Sequence, residues 1–182
     1  MLSSISVEVG APPELVFRLV QDVERWALLL PHYSRSRLVR VEGDQRLVVE
    51  FISRRPLVGV LGLGLPVAWR ARTWSEPEAL RLRFSHIAGV TRGMEVTWRI
   101  EPAAPGSRVT IDHVFRPRAP GLAAFVDRFF TRPIASRTLA TFKALAETLA
   151  ERDAEALAGA LAGIGSGGSV ESEGLTLTNS PP

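Results

Sequence analysis

The stretch SISVEVGAPPELVFRLVQDVERW, residues 4–26, changes its hydrophobic period once, at the proline pair Pro12-Pro13. Before the prolines, polar and apolar residues alternate, which is typical of a strand with one buried face. After them, apolar residues recur at three- and four-residue steps from Leu15 to Val23, which indicates a helix. Proline cannot continue a strand ladder but suits the first turn of a helix. The stretch therefore predicts a strand followed directly by a helix.

A second short helix is predicted for residues 24–30, because Pro31 ends the helical pattern there. From Tyr33 onward the period returns to two. The alternation predicts six further strands, at residues 35–41, 46–53, 67–74, 80–85, 93–100 and 108–115. Their connections are short and carry turn residues such as glycine, proline and aspartate. Consecutive strands with short links predict an antiparallel meander.

The last predicted element is a long amphipathic helix over residues 122–149, with a kink at Pro133. Residues 153–182 are rich in alanine, glycine and serine, and we expect a disordered acidic tail there. The predicted fold class is α+β, with a curved seven-stranded antiparallel sheet wrapped around the long C-terminal helix. Because one helix does not fill the whole concave face of such a sheet, we expect an internal apolar cavity.

The composition excludes several classes of site. The chain has 182 residues and no cysteine, which rules out disulfides, thiol nucleophiles and Cys-ligated metals. With only three histidines, we expect neither a metal site nor a cofactor. Residues 1–150 carry 21 basic against 14 acidic residues, whereas residues 151–182 carry 1 against 5. The basic residues are spread over many strands without a recognised motif, so we expect no nucleic-acid partner.

The chain resembles the START-like helix-grip superfamily, in particular its polyketide cyclase/dehydrase and coenzyme Q-binding branch. The resemblance is carried by SVEVGAPPELVF (6–17), DVERW (22–26) with PHY (31–33), and MEVTWRIEP (94–102) with GSRVTI (106–111). We therefore expect a START-like ligand-binding domain over residues 1–152. The resemblance implies the helix-grip fold and the binding of a hydrophobic small molecule in its cavity.

Alternation along the predicted strands indicates which side chains face the helix. On the strand over residues 93–100, Met94, Val96 and Trp98 share the inward face. On the last strand His113 shares the inward face with its apolar neighbours. The candidate ligand-binding residues are Trp26, Tyr33, Trp69, Phe84, Met94, Val96, Trp98, His113, Phe130 and Ile134.

Two functions fit this sequence. The first is a carrier or chaperone for a lipid, quinone, isoprenoid or polyketide. The second is a polyketide aromatase/cyclase, for which the resemblance implies that Tyr33 and a cavity arginine, Arg70 or Arg72, assist ring closure of a poly-β-ketone. Alternation leaves open whether Trp69 or the two arginines face the interior, and the alternative is that both arginines are solvated outside the sheet.

The connection between the third and fourth strands is unusually apolar and glycine-rich. Arginines flank it, and its apolar residues are Leu57, Val60, Leu61, Leu63 and Leu65. They form either a lid that closes the cavity or touches an anionic membrane, or a loop folded onto the core. Neither a signal-peptide pattern nor a membrane-spanning stretch is present in the sequence, so we expect a cytoplasmic protein, with peripheral membrane contact under the lid hypothesis.

Overall fold

The computed structural model describes residues 1–43, 46–56 and 64–165. The chain divides into two compact units, residues 1–150 and residues 151–182. Among the described residues, no helix combines the length and the apolar character needed to span a membrane.

Within the described residues, seven strands form one antiparallel sheet with the spatial order β1-β7-β6-β5-β4-β3-β2. The strands are β1 (Leu2–Val9), β2 (Tyr33–Glu42), β3 (Arg46–Pro56), β4 (Gly64–Glu76), β5 (Arg81–Gly89), β6 (Glu95–Ala103) and β7 (Gly106–Val114). This confirms the predicted meander of six strands and the α+β fold class. Because β1 pairs with β7, with Ser3 opposite His113, β1 and β2 are the two edges of the sheet. The segment between them has to cross from one edge to the other.

Three short helical segments make that crossing. They are α1 (Pro13–Gln21), a 3₁₀ turn (Val23–Arg25) and α2 (Trp26–Leu29). Helix α1 begins at the proline pair, with Pro12 at the N-cap and Pro13 as its first residue. Proline loses nothing at that position, since the first N–H groups of a helix have no intrahelical partner.

The C-terminal helical region has three parts. They are α3 (Leu122–Val126), a π-helical turn (Asp127–Thr131) and α4 (Arg132–Gly165). The irregularity predicted at Pro133 is the π turn that ends two residues before this proline, which has no N–H for the helical ladder. Helix α4 continues to Gly165 instead of ending near Leu149, because residues 153–165 are rich in alanine, the best helix former. The rest of the expected tail, residues 166–182, lies outside the described residues.

Trp26 is the centre of a buried aromatic cluster. Its indole N–H donates to the Val20 carbonyl at 3.0 Å, which joins the start of α2 to α1. Five aromatic rings from β2, β3, β5, β6 and α4 lie with centroids 5.5–5.7 Å from that of Trp26: Tyr33, Phe51, Phe84, Trp98 and Phe142. The cluster therefore ties the edge-crossing helices, the concave face of the sheet and α4 together.

Gly89 lies at the end of β5, where its backbone packs closely against that of β4. Its φ of +92° favours glycine, and a Cβ at this position would collide with the Ala68 carbonyl oxygen. Gly93 has a similar φ of +85°, but the space around its Cβ position is open. Substitution at Gly93 therefore tests backbone strain alone, whereas substitution at Gly89 tests backbone strain together with a steric collision.

We expect Gly89→Ala to lower the free energy of unfolding clearly more than Gly93→Ala. Positive φ alone costs an alanine about 1–3 kcal/mol, and Gly89→Ala adds a collision with the β4 backbone. Urea unfolding followed by tryptophan fluorescence measures both losses. Equal losses for the two variants would contradict a steric constraint at Gly89.

Candidate functional site

A cavity of about 80 Å³ lies between the concave face of the sheet and the C-terminal helical region. All ten candidate ligand-binding residues named from the sequence line it. The structure adds eight lining residues that the sequence did not single out: Phe51, Val67, His86, Thr91, Ile111, Thr131, Ala135 and Thr138. The walls are thus mainly aromatic and aliphatic, with a few polar side chains between them.

The structure decides which face of β4 is interior. Trp69, Ala71 and Thr73 are buried, so Arg70 and Arg72 lie on the outer face of the sheet. Glu50 and Glu42 project from the same outer face. They accept hydrogen bonds from Arg70 and Arg72, respectively, and hold both arginines there.

The arginines therefore do not reach the cavity, which corrects their candidate catalytic role beside Tyr33. The Arg70 guanidinium lies 2.8 Å from a Glu50 carboxylate oxygen, and Arg72 Nε lies 2.7 Å from Glu42 Oε2. Hydrogen bonding from Arg70 holds the pKa of the Glu50 carboxyl below its usual value. Burying an unpaired guanidinium would be very costly, and outer-face ion pairing avoids that cost.

Tyr33 begins β2 and is 6% exposed. Its ring contacts Trp26 and Trp69 edge to face, with centroids 5.6 and 5.8 Å apart. Burial raises the pKa of the Tyr33 phenol above its usual value. The phenol is therefore protonated at neutral pH and acts as a neutral hydrogen-bonding group.

His32 lies behind the wall of the cavity and supports it. Its Nε2 is 2.9 Å from Thr138 Oγ1, and Thr138 Oγ1 donates its hydrogen to the Ile134 carbonyl at 2.8 Å. Since that hydroxyl hydrogen is used, His32 Nε2 carries a hydrogen and donates it to Thr138. Burial lowers the pKa of His32 to about 4.

Two further histidines line the cavity. The His86 ring stacks on Trp69 with centroids 6.0 Å apart, and its Nδ1 lies 2.7 Å from Thr91 Oγ1. His113 projects inward from β7 and is 6% exposed. Burial lowers the pKa of His86 to about 3 and that of His113 to about 4. Both imidazoles are therefore neutral at physiological pH.

The lining carries no charged side chain among the described residues. Across the same residues, no group of three or more His, Asp or Glu side chains could hold a metal ion. The arrangement can bury a hydrophobic molecule against aromatic rings and offer it neutral hydrogen-bonding partners.

We expect acid to destabilise the fold as the pH falls from 6.5 towards 4. The unfolded chain protonates its histidines near pH 6.5, whereas the folded chain holds them neutral to about pH 4, so the unfolded state binds more protons in this window. For His113 alone the effect amounts to about 3 kcal/mol. His113→Asn should therefore show a smaller loss of unfolding free energy than the wild type between pH 7 and pH 4.5, measured with urea. The same loss in both proteins would show that His113 does not contribute.

The sequence was compared with models of known protein families and with curated proteins. The family model described as polyketide cyclase/dehydrase and lipid transport matches residues 3–152. No curated protein matches the sequence.

Solved structures share the fold at low sequence identity. The Zhui aromatase/cyclase from Streptomyces sp. R1128 is 18% identical, with a TM-score of 0.63 over 81% of this chain and 93% of that one. A START superfamily protein from Mycobacterium smegmatis is also 18% identical, with a TM-score of 0.60 over 81% and 98%. The di-domain aromatase/cyclase BexL from the BE-7585A biosynthetic pathway is 26% identical, with a TM-score of 0.61 over 79% of this chain and 45% of BexL. With the family model spanning most of its length, the chain belongs to the polyketide cyclase/dehydrase and lipid transport family, and it shares its fold with the START superfamily protein.

Proposed function

We propose that this cytoplasmic domain binds a hydrophobic small molecule in its cavity and acts as its carrier or chaperone. The candidate ligands are a lipid, a quinone, an isoprenoid or a polyketide. The family description names lipids and polyketides, and the apolar lining suits all four classes. The observation that carries the proposal is the lining itself, in which the described side chains are mainly aromatic and aliphatic and none of them is charged. Ligand pockets for apolar molecules have this composition.

The size of the cavity adds a constraint on binding. Its volume of about 80 Å³ is well below the roughly 300–1,000 Å³ of pockets that hold drug-sized ligands. A larger ligand therefore requires lining side chains to move. Phe130 and Ile134 suit this role, because both are only partly buried and lie at the junction of the π turn and α4.

The apolar segment that we expect to act as a lid or membrane contact lies mostly outside the described residues. This applies to Leu57, Val60, Leu61 and Leu63, and the side chain of Leu65 is likewise not described. A lid, or a peripheral contact of this segment with an anionic membrane, stays a prediction from the sequence.

The binding proposal predicts a specific effect of filling the cavity. Ala135 is buried, lines the cavity and lies on α4, whereas Ala140 is exposed on the same helix. We expect Ala135→Leu to weaken the binding of p-xylene, a small apolar probe, at least about tenfold by occupying its space. Ala140→Leu is the matched control and should leave binding unchanged.

The four tryptophan indole N–H signals in ¹H–¹⁵N NMR spectra provide the measurement. Trp26, Trp69 and Trp98 line the cavity, whereas Trp74 lies on the outer side of β4, with the Arg46 guanidinium 5.1 Å from the centroid of its ring. Addition of p-xylene should shift the three cavity signals and leave that of Trp74 in place. Failure of the wild type to bind, or equal binding by Ala135→Leu, would count against the proposal.

Ring closure of a poly-β-ketone is the second candidate, favoured by one observation: the buried Tyr33 side chain lines the cavity. It could donate a proton to an enolate oxygen that forms during cyclisation.

Under this second function, Tyr33→Phe should slow cyclisation by about 10²–10⁴-fold, because a positioned proton donor is lost. Arg70→Ala and Arg72→Ala should leave the rate unchanged, since both arginines lie outside the cavity. Product analysis with a thioester-bound poly-β-ketone measures the three rates. An unchanged product profile with Tyr33→Phe would leave the carrier function as the better explanation.

A further inference from the structure

Some polar side chains of the cavity have hydrogen-bond partners and others do not. His86 and Thr91 pair with each other, and Thr138 bonds to both His32 and the Ile134 carbonyl. In contrast, His113 Nδ1 and Thr131 Oγ1 are buried without a hydrogen-bond partner among the described residues. Each of the latter two residues is 6% exposed, and both line the cavity.

His113 and Thr131 lie near each other along the lining, since the charges of Asp127, in the π turn, and of Arg132, next to Thr131, both act on His113. His113 stands on β7 opposite Val96 of β6, and Thr131 is the last residue of the π turn. A positive charge on His113 disfavours one on His86, so the two imidazoles lie within electrostatic reach of each other. We call His113 and Thr131 the polar end.

Buried polar groups in native proteins nearly always have a partner, so two unpartnered groups beside an internal space indicate a missing one. The neutral His113 ring donates its single N–H to the Ser3 backbone, so its Nδ1 can only accept, whereas the Thr131 hydroxyl can donate or accept a hydrogen bond. A hydroxyl group does both through a single oxygen, so it can accept from one of them and donate to the other.

The charges around the polar end limit which ligand group fits. Asp127 lies one turn before Thr131, and its Oδ1 is buried without a partner, while its Oδ2 accepts from Arg132 Nε at 2.7 Å. The Asp127 carboxylate acts electrostatically on His113 and raises its pKa, against the larger lowering by burial. A ligand carboxylate would meet two neutral imidazoles and the Asp127 carboxylate, whose partner Arg132 is already engaged in that ion pair, and none of the described lining residues is a cation that could stabilise it.

We propose that the polar end binds an uncharged hydroxyl group of the ligand, and that the aromatic walls bury its hydrocarbon part. The ligand class is then a hydrophobic alcohol or phenol. This rests on the proposed function, since it assumes that the cavity is a binding site.

Three probes of matched shape test the assignment at pH 7: p-xylene, 4-methylphenol and 4-methylbenzoate. The indole signals of Trp26, Trp69 and Trp98 report binding, with Trp74 as the internal control. We expect 4-methylphenol to bind at least as tightly as p-xylene, although removing its hydroxyl from water costs more. We expect 4-methylbenzoate to bind at least about tenfold more weakly than 4-methylphenol.

Two variants then locate the interaction. Thr131→Val preserves the shape of the side chain and removes the hydroxyl, and His113→Phe removes the ring nitrogens. Each should weaken the binding of 4-methylphenol about tenfold relative to the binding of p-xylene by the same variant. Thr141→Val is the matched control, because the Thr141 hydroxyl donates to the Arg137 carbonyl and does not line the cavity.

The outcomes separate the two proposals. The polar-end assignment is wrong, and the binding function stands, if p-xylene binds, 4-methylphenol binds more weakly than p-xylene, and neither variant changes the affinity for 4-methylphenol. If 4-methylbenzoate binds as tightly as 4-methylphenol, the requirement for an uncharged group is wrong. If none of the three probes binds the wild type, the proposed function fails, and the polar-end assignment with it. The comparison of probes on the wild type holds even if a variant does not fold.

Discussion

The contact of the Trp26 indole with the concave face of the sheet is the interaction on which the rest of the structure depends. The connection from β1 to β2 must cross the whole sheet, and it needs one point of attachment in the middle. Trp26 provides this point, since its ring meets aromatic rings of four strands and of α4 while its N–H is fixed to the Val20 carbonyl. Aromatic pairs of this kind add about 0.5–1.5 kcal/mol each beyond their burial. The same ring is one wall of the cavity, so fold stability and cavity shape are set together.

The sheet separates charge from the cavity. Its outer face carries cross-strand ion pairs such as Arg70 with Glu50 and Arg99 with Asp112, while its inner face carries rings and aliphatic groups. Exposed ion pairs contribute little stability each, about 0–1 kcal/mol, so their effect is chiefly to keep the arginines on the outside. The high arginine content, which gives a pI near 10.4, therefore describes the outer surface and says little about the chemistry of the cavity.

The site could be predicted where the pattern within a single strand or helix determines which side chains face inward, and not where contacts between distant segments determine it. Single-strand alternation was sufficient for β6 and β7, whose inner faces are clearly apolar. It failed to decide β4, because a tryptophan stands on each face and the choice is made by Glu42 and Glu50 on neighbouring strands. Thr131 and Ala135 were missed for a different reason: the π turn inserts extra backbone and rotates the helix face, so a constant helical period does not place them. Cavity volume and hydrogen-bond partners arise from contacts distant in sequence, and no local pattern encodes them.

The neutrality of the cavity also bears on the choice between carrier and cyclase. Ring closure of a poly-β-ketone passes through enolate character, and enzymes stabilise such charge with preorganised donors or cations. Here the described lining offers the Tyr33 phenol, threonine hydroxyls and imidazoles that stay neutral far below physiological pH, and Asp127, which pairs with Arg132, brings a carboxylate towards the polar end. Such a site stabilises an uncharged ligand better than a developing anion. Catalysis would therefore have to depend on proton donation from Tyr33, whereas binding of a hydrophobic alcohol or phenol uses the apolar walls and the two unpartnered groups of the polar end.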